Sequence, residues 1–113
     1  EEQEHAKKFY HYLLDRGGRV ILEAIAKPQS EWASPLAAFE DAYKHEQHVT
    51  ARINIMAEVA EELKDRATRQ MLDWFLKEQV EEEMSVDEIV QTLKMAATDS
   101  RGLFIVDREL AKR

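Results

Sequence analysis

Glu2, His5, Glu46, Gln79 and Glu82 are the residues whose type and spacing offer chemistry. Between Met71 and Leu93 the apolar positions step by three and four through Leu72, Phe75, Val86, Ile89 and Leu93, which is the buried stripe of a long helix. The same stepping, carried through the gap, lands on Gln79 and Glu82. A second stripe runs Leu36, Phe39, Tyr43, Glu46, Thr50, Ile53, Ala57, Ala60, and Glu46 is its one charged member. A third begins Glu2, His5, Phe9, Tyr12, with a carboxylate and an imidazole one turn apart on one face. A buried carboxylate without a partner is destabilising by several kcal/mol, so it is paired, protonated or bound to a metal. With Glu78, Glu81 and Glu83 adjoining, the plainer alternative is a register shift that puts the whole run on a solvated face. The recurrence of the anomaly on three stripes favours a buried site. Rich in oxygen, with one nitrogen and no sulfur, that site suits iron, manganese or zinc.

The elements that must position these groups are helices, because no strand-period run exceeds a few residues. The first helix spans about Glu1 to Arg16 and stops at Gly17-Gly18. A long connection with Val20-Ile21-Leu22, Pro28 and Trp32 follows, and its reach matches a crossover running the length of a bundle. Val20 to Leu22 reads as a short extended piece or as an apolar patch tucked against the bundle. Ser34 with Pro35 starts the next helix, which runs to about Lys64. A tight turn at Lys64-Asp65-Arg66 makes the helix from about Ala67 to Ala96 its antiparallel neighbour. Glu46 and Glu82 then both lie ~25 Å from the turn, facing each other at one level. The depth of His5 leaves open whether the first helix packs by simple antiparallel return or by crossover. Thr98 to Gly102 breaks the long helix, and Leu103 to Lys112 reads as a short amphipathic closing helix.

At 113 residues the chain is one domain with a modest core. Its net charge of −7 argues against general nucleic-acid binding and suits attraction of cations. The absence of Cys excludes disulfides and thiolate metal sites and fits a reducing compartment. No run approaches membrane length, and no signal-like start is present. The chain opens inside an amphipathic pattern without an N-cap, so it reads as cut rather than begun. His45-Glu46-Gln47-His48 is not a zinc-protease motif, because its histidines are three apart rather than four. His11, His45 and His48 read as surface residues, Trp74 as core packing beside the metal stripe, and Met56, Met71, Met84 and Met95 as packing residues with no sign of haem.

In di-iron carboxylate bundles two helices each give a Glu and two others each give Glu-x-x-His. Here one Glu-x-x-His is present and Gln79-x-x-Glu82 replaces the second. With Glu1-Glu2-Gln3-Glu4-His5, Tyr43-Lys44-His45-Glu46, Glu78-Gln79-Val80-Glu81-Glu82-Glu83 and Leu103-Phe104-Ile105-Val106-Asp107-Arg108-Glu109-Leu110, the chain resembles prokaryotic non-haem ferritins over essentially its whole length. The resemblance implies an all-α ferritin-like four-helix bundle with a long crossover and a short fifth helix. Residues 1–113 would hold the second half of the second helix, the crossover and the third to fifth helices.

It implies that Glu2 bridges two irons, that His5 completes one site, and that Glu46 and Glu82 hold the second iron. Gln79 would hydrogen-bond nearby, and Glu1, Glu78 and Glu81, with Glu82 shared, would form a third iron site. It further implies Fe(II) oxidation by oxygen or peroxide, Fe(III) mineral stored in a hollow homo-oligomeric 24-mer cage, and a cytoplasmic location, with no haem, no nucleic acid and no membrane. Glu58, Glu61 and Glu62 either line the mineral cavity or form a solvated face. Two departures stand out. The family's first helix, with its own Glu ligand, is absent, so the apolar groove it would cover needs an upstream segment, a swapped copy or a rearranged dimer. Around the turn that lines the threefold channel of animal ferritins, this chain has Asp65, Arg66, Arg69 and Leu72, a less acidic set. A di-metal oxidase or peroxidase without storage, and a purely structural fragment, are the competing readings.

Overall fold

The computed structural model describes residues 1–97 and 100–112, without the Ser100 side chain. All regular structure among them is helical: α1 Glu2–Asp15, α2 Pro35–Glu62, α3 Arg66–Ala96 and α4 Ser100–Leu110. The chain divides into two compact units, Glu1–Ser30 and Glu31–Arg113.

In the first unit α1 stops because Gly17 takes φ +75, the left-handed conformation that costs a glycine little. Gly17 N–H donates to Leu14 O at 3.0 Å and Gly18 N–H to Leu13 O at 2.7 Å, which satisfies two carbonyls of the last turn. His5, Phe9 and Tyr12 are the half-buried residues of this helix, while Glu2 is exposed. The segment after Gly18 carries no regular structure. Val20 is half-buried, whereas Leu22 is 85% and Ile25 93% exposed, and Val20 to Leu22 carry no strand pairing.

The second unit is an antiparallel pair of long helices with α4 packed along the last turns of α3. Ser34 Oγ accepts from Ala37 N–H at 3.1 Å and Pro35 occupies the first helical position, so α2 starts where capping chemistry dictates. It ends by the same two-bond device as α1: Lys64 N–H donates to Glu61 O at 3.0 Å and Asp65 N–H to Ala60 O at 2.8 Å. Lys64, not a glycine, adopts φ 56 there. Asp65 then turns from stop to start. Its carboxylate accepts from Thr68 N–H at 3.2 Å and from Thr68 Oγ1–H at 2.6 Å, capping α3. Across the same turn Arg69 donates to Glu61 at 2.9 Å and also pairs with Asp73. The hydrogen bond to Glu61 and the Asp73 carboxylate hold the Arg69 guanidinium above its ordinary pKa.

Between the two helices lie Ile53, Ala57 and Ala60 of α2 and Leu72, Phe75, Val90 and Leu93 of α3, all buried. At the far end Leu93, Ala96 and Val106 form one cluster, with Leu36, Phe39, Ile89 and Leu110 packed on it. Gly102 permits this closure. A Cβ there would stand 2.8 Å from Ala96 Cβ and 3.1 Å from its Cα, so α4 approaches α3 where only a glycine fits without movement. The helix therefore begins at Ser100, earlier than the expected Leu103; Thr98 and Asp99, the start of the expected break, lie outside the described residues. Val106 turns inward, while Leu103, Phe104 and Ile105 face solvent. The packing role expected for the methionines is not seen at Met56, Met84 and Met95, which are exposed beside the buried stripes rather than on them. Trp74 likewise sits at the rim, 37% exposed, edge-on to Phe75.

Candidate metal centre

The polar interruptions of the α2 and α3 stripes meet inside the second unit. Gln79 is 5% exposed and is the one buried polar residue among the core positions described. Its Nε2 lies 3.1 Å from three acceptors: the Glu46 backbone O, the Glu46 carboxylate Oε2 and Thr50 Oγ1. Thr50 Oγ1 in turn donates to Glu46 O at 3.0 Å. The orientation of the Gln79 amide follows from chemistry. A carbonyl and a carboxylate offer only lone pairs, and the one hydroxyl hydrogen of Thr50 is committed to Glu46 O, so the group facing all three is the NH₂. Among the described residues no buried side-chain nitrogen or oxygen lacks a partner. Gln79 and Glu46 thus lie on the buried seam rather than on a solvated face, with Glu46 half-buried.

The other candidates are placed as follows. Glu82 and Glu83 are half-buried on α3, Glu78 is half-buried and Glu81 is exposed. The bonds to Glu46 come from Gln79, one helical turn (~4.5 Å) nearer the hairpin than Glu82. In the first unit His5 Nδ1 lies 3.5 Å from Glu2 Oε1, with the imidazole 15% and the carboxylate 78% exposed. Glu1 is exposed at the head of the same helix. The donor set is therefore divided between the units, Glu2 and His5 in one and Glu46, Gln79 and Glu82 in the other. Among the described residues no group of three or more His, Asp or Glu side chains is gathered as a metal would gather them. Carboxylate and imidazole donors do fit iron, manganese or zinc in kind. His11, His45 and His48 are exposed, as are Glu58, Glu61 and Glu62.

Thr50 belongs to the site, although the sequence marked it only as a stripe position. The signal available was its place one turn after Glu46 on the same face, with a hydroxyl that bonds back to the fourth carbonyl before it.

Known proteins resemble this chain over most of its length. The ferritin-like domain family model matches residues 1–96. A bacterial non-heme ferritin of Staphylococcus saprophyticus is 42% identical over 113 residues, covering 100% of this chain and 68% of the relative. One of Staphylococcus epidermidis is 41% identical over the same span. Among solved structures, an open pore ferritin from the hyperthermophilic archaeon Archaeoglobus fulgidus superposes with a TM-score of 0.95 at 48% identity, covering 97% of this chain and 68% of that one. A humanized archaeal ferritin gives 0.96 at 48% identity, covering 99% and 68%.

Proposed function

This chain belongs to the ferritin family, and we propose that it serves iron storage, with Fe(II) as the substrate of a two-iron carboxylate site. In this reading Glu2 bridges the two irons, His5 completes one, and Glu46 and Glu82 hold the other. Gln79 orients Glu46, and Glu1, Glu78 and Glu81, with Glu82 shared, take a third iron. Each Fe(II) gives up one electron, so two adjacent ions deliver a pair to one molecule of dioxygen or peroxide. The Fe(III) product is held as mineral inside a homo-oligomeric 24-mer cage in the cytoplasm.

The observation that carries the reading is the buried Gln79 amide fixed on the Glu46 carboxylate. An apolar residue at position 79 would fill the seam at no polar desolvation, so a polar one there is explained by what it does to Glu46. The names of the relatives and the excess of acidic groups point the same way. The deciding experiment is Fe(II) oxidation followed by near-ultraviolet absorbance, with native mass before and after iron loading. Glu46→Ala and Glu82→Ala should each lower the initial rate by more than about tenfold, the effect of losing even an outer partner of a metal ligand, while helicity is retained. A Glu46→Ala protein that oxidises iron at the parent rate overturns the assignment.

A further inference from the structure

Gln79 Nε2 carries two hydrogens and faces three acceptors, so the Glu46 carboxylate competes with Thr50 Oγ1 and the Glu46 carbonyl for them. The surplus acceptor is the informative feature. When a cation draws the Glu46 carboxylate away, both Gln79 hydrogens still have partners, Thr50 Oγ1 and Glu46 O. Without the Thr50 oxygen, the same movement would strand one N–H of a side chain only 5% exposed. Thr50 accepts because its own hydrogen is already spent on Glu46 O, which leaves its lone pairs toward Gln79. The hydroxyl, amide and carboxylate therefore form a latch with two satisfied positions. One has the carboxylate held on Gln79; in the other it is released and Thr50 takes its place.

We propose that Thr50 is a positioning residue for cation binding, the reserve acceptor that lets Glu46 leave Gln79 without leaving a buried donor unpaired. The inference rests on the reading of Glu46 as a metal ligand. It concerns a different residue and a different quantity: how freely the ligand is released, rather than whether it binds.

Zn(II) is a suitable probe because it is not oxidised, so binding is read by titration calorimetry apart from any turnover. Thr50→Val removes the hydroxyl at nearly constant volume. It leaves the metal-free latch closed, because Gln79 keeps the Glu46 carbonyl O and carboxylate Oε2, so the melting temperature should stay near the parent value. Opening the latch would then strand a hydrogen, and Zn(II) affinity should fall about 5- to 150-fold, the range set by one buried unsatisfied donor. Thr50→Ser keeps the oxygen and should bind within about twofold of the parent. In a Gln79→Leu background the donor is gone, so adding Thr50→Val should change affinity by less than about twofold, a non-additivity that a merely structural threonine would not give. Parent-like affinity for Thr50→Val, beside a Glu46→Ala protein that binds weakly, overturns the latch and leaves the ligand reading standing. An equal loss from Thr50→Val with and without Gln79 overturns it as well. Unchanged binding by Glu46→Ala removes the ligand reading and the latch with it.

Discussion

Replacing Lys64 with glycine should stabilise the helical hairpin, and the size of the effect follows from one backbone angle. Lys64 holds φ 56 at the end of α2, where its N–H and that of Asp65 close the last turn onto Glu61 and Ala60. A left-handed conformation costs an L-residue about 1–2 kcal/mol, through the approach of Cβ to the following carbonyl oxygen. Glycine escapes that cost but loses more freedom on folding, about 0.4–1 kcal/mol. The difference favours Lys64→Gly by about 0.5–1 kcal/mol, or a rise of roughly 2–4 °C in melting temperature for a chain of this size. Lys64→Ala is the control: it removes the charge and keeps the Cβ, so it should melt close to the parent. The assay is thermal unfolding by circular dichroism at low and high salt, the salt series separating backbone from charge effects. A Lys64→Gly protein that melts no higher than Lys64→Ala refutes the reasoning, because the two differ only in the Cβ that the strain argument blames.

Two further outcomes are expected. Leu72, 1% exposed between α2 and α3, should cost about 3–5 kcal/mol on truncation to alanine, measured by urea unfolding. Phe104→Asp with Ile105→Asp alters only exposed positions of α4, so helicity should persist while native mass shifts toward smaller species; an unchanged mass would show that this apolar face lies outside any contact between copies.

The local punctuation of this protein is legible in its sequence, because each signal acts through bonds within a few residues. Ser34 with Pro35 starts α2 and Gly17 stops α1, each through a local capping bond or backbone angle, while Asp65, marked in the sequence only as part of a tight turn, also caps α3. The stripes were legible for a related reason. Helical geometry fixes which residues share a face, so Glu46, Thr50, Ile53, Ala57 and Ala60 line up on α2 whatever packs against them. What periodicity does not contain is the identity of the opposing atom. Sequence arithmetic set Glu46 level with Glu82. In the folded hairpin the Gln79 amide bonds to Glu46 across the seam, a partnership that periodicity does not name.

In α4 four consecutive apolar residues, Leu103 to Val106, present every face at once. Only the position of Leu93 and Ala96, together with the close approach at Gly102, selects Val106 as the one that turns inward. Local signals in the sequence set the helices, the stop of α1 and the start of α2, the apolar stripes of α2 and α3 and the polar groups that interrupt them. The tertiary structure alone decided that Gln79 aims its amide at Glu46 and that Thr50 stands beside them as a third acceptor. Hydrogen-bond direction depends on which lone pairs and hydrogens meet across the seam, and that meeting exists only once α2 and α3 are packed.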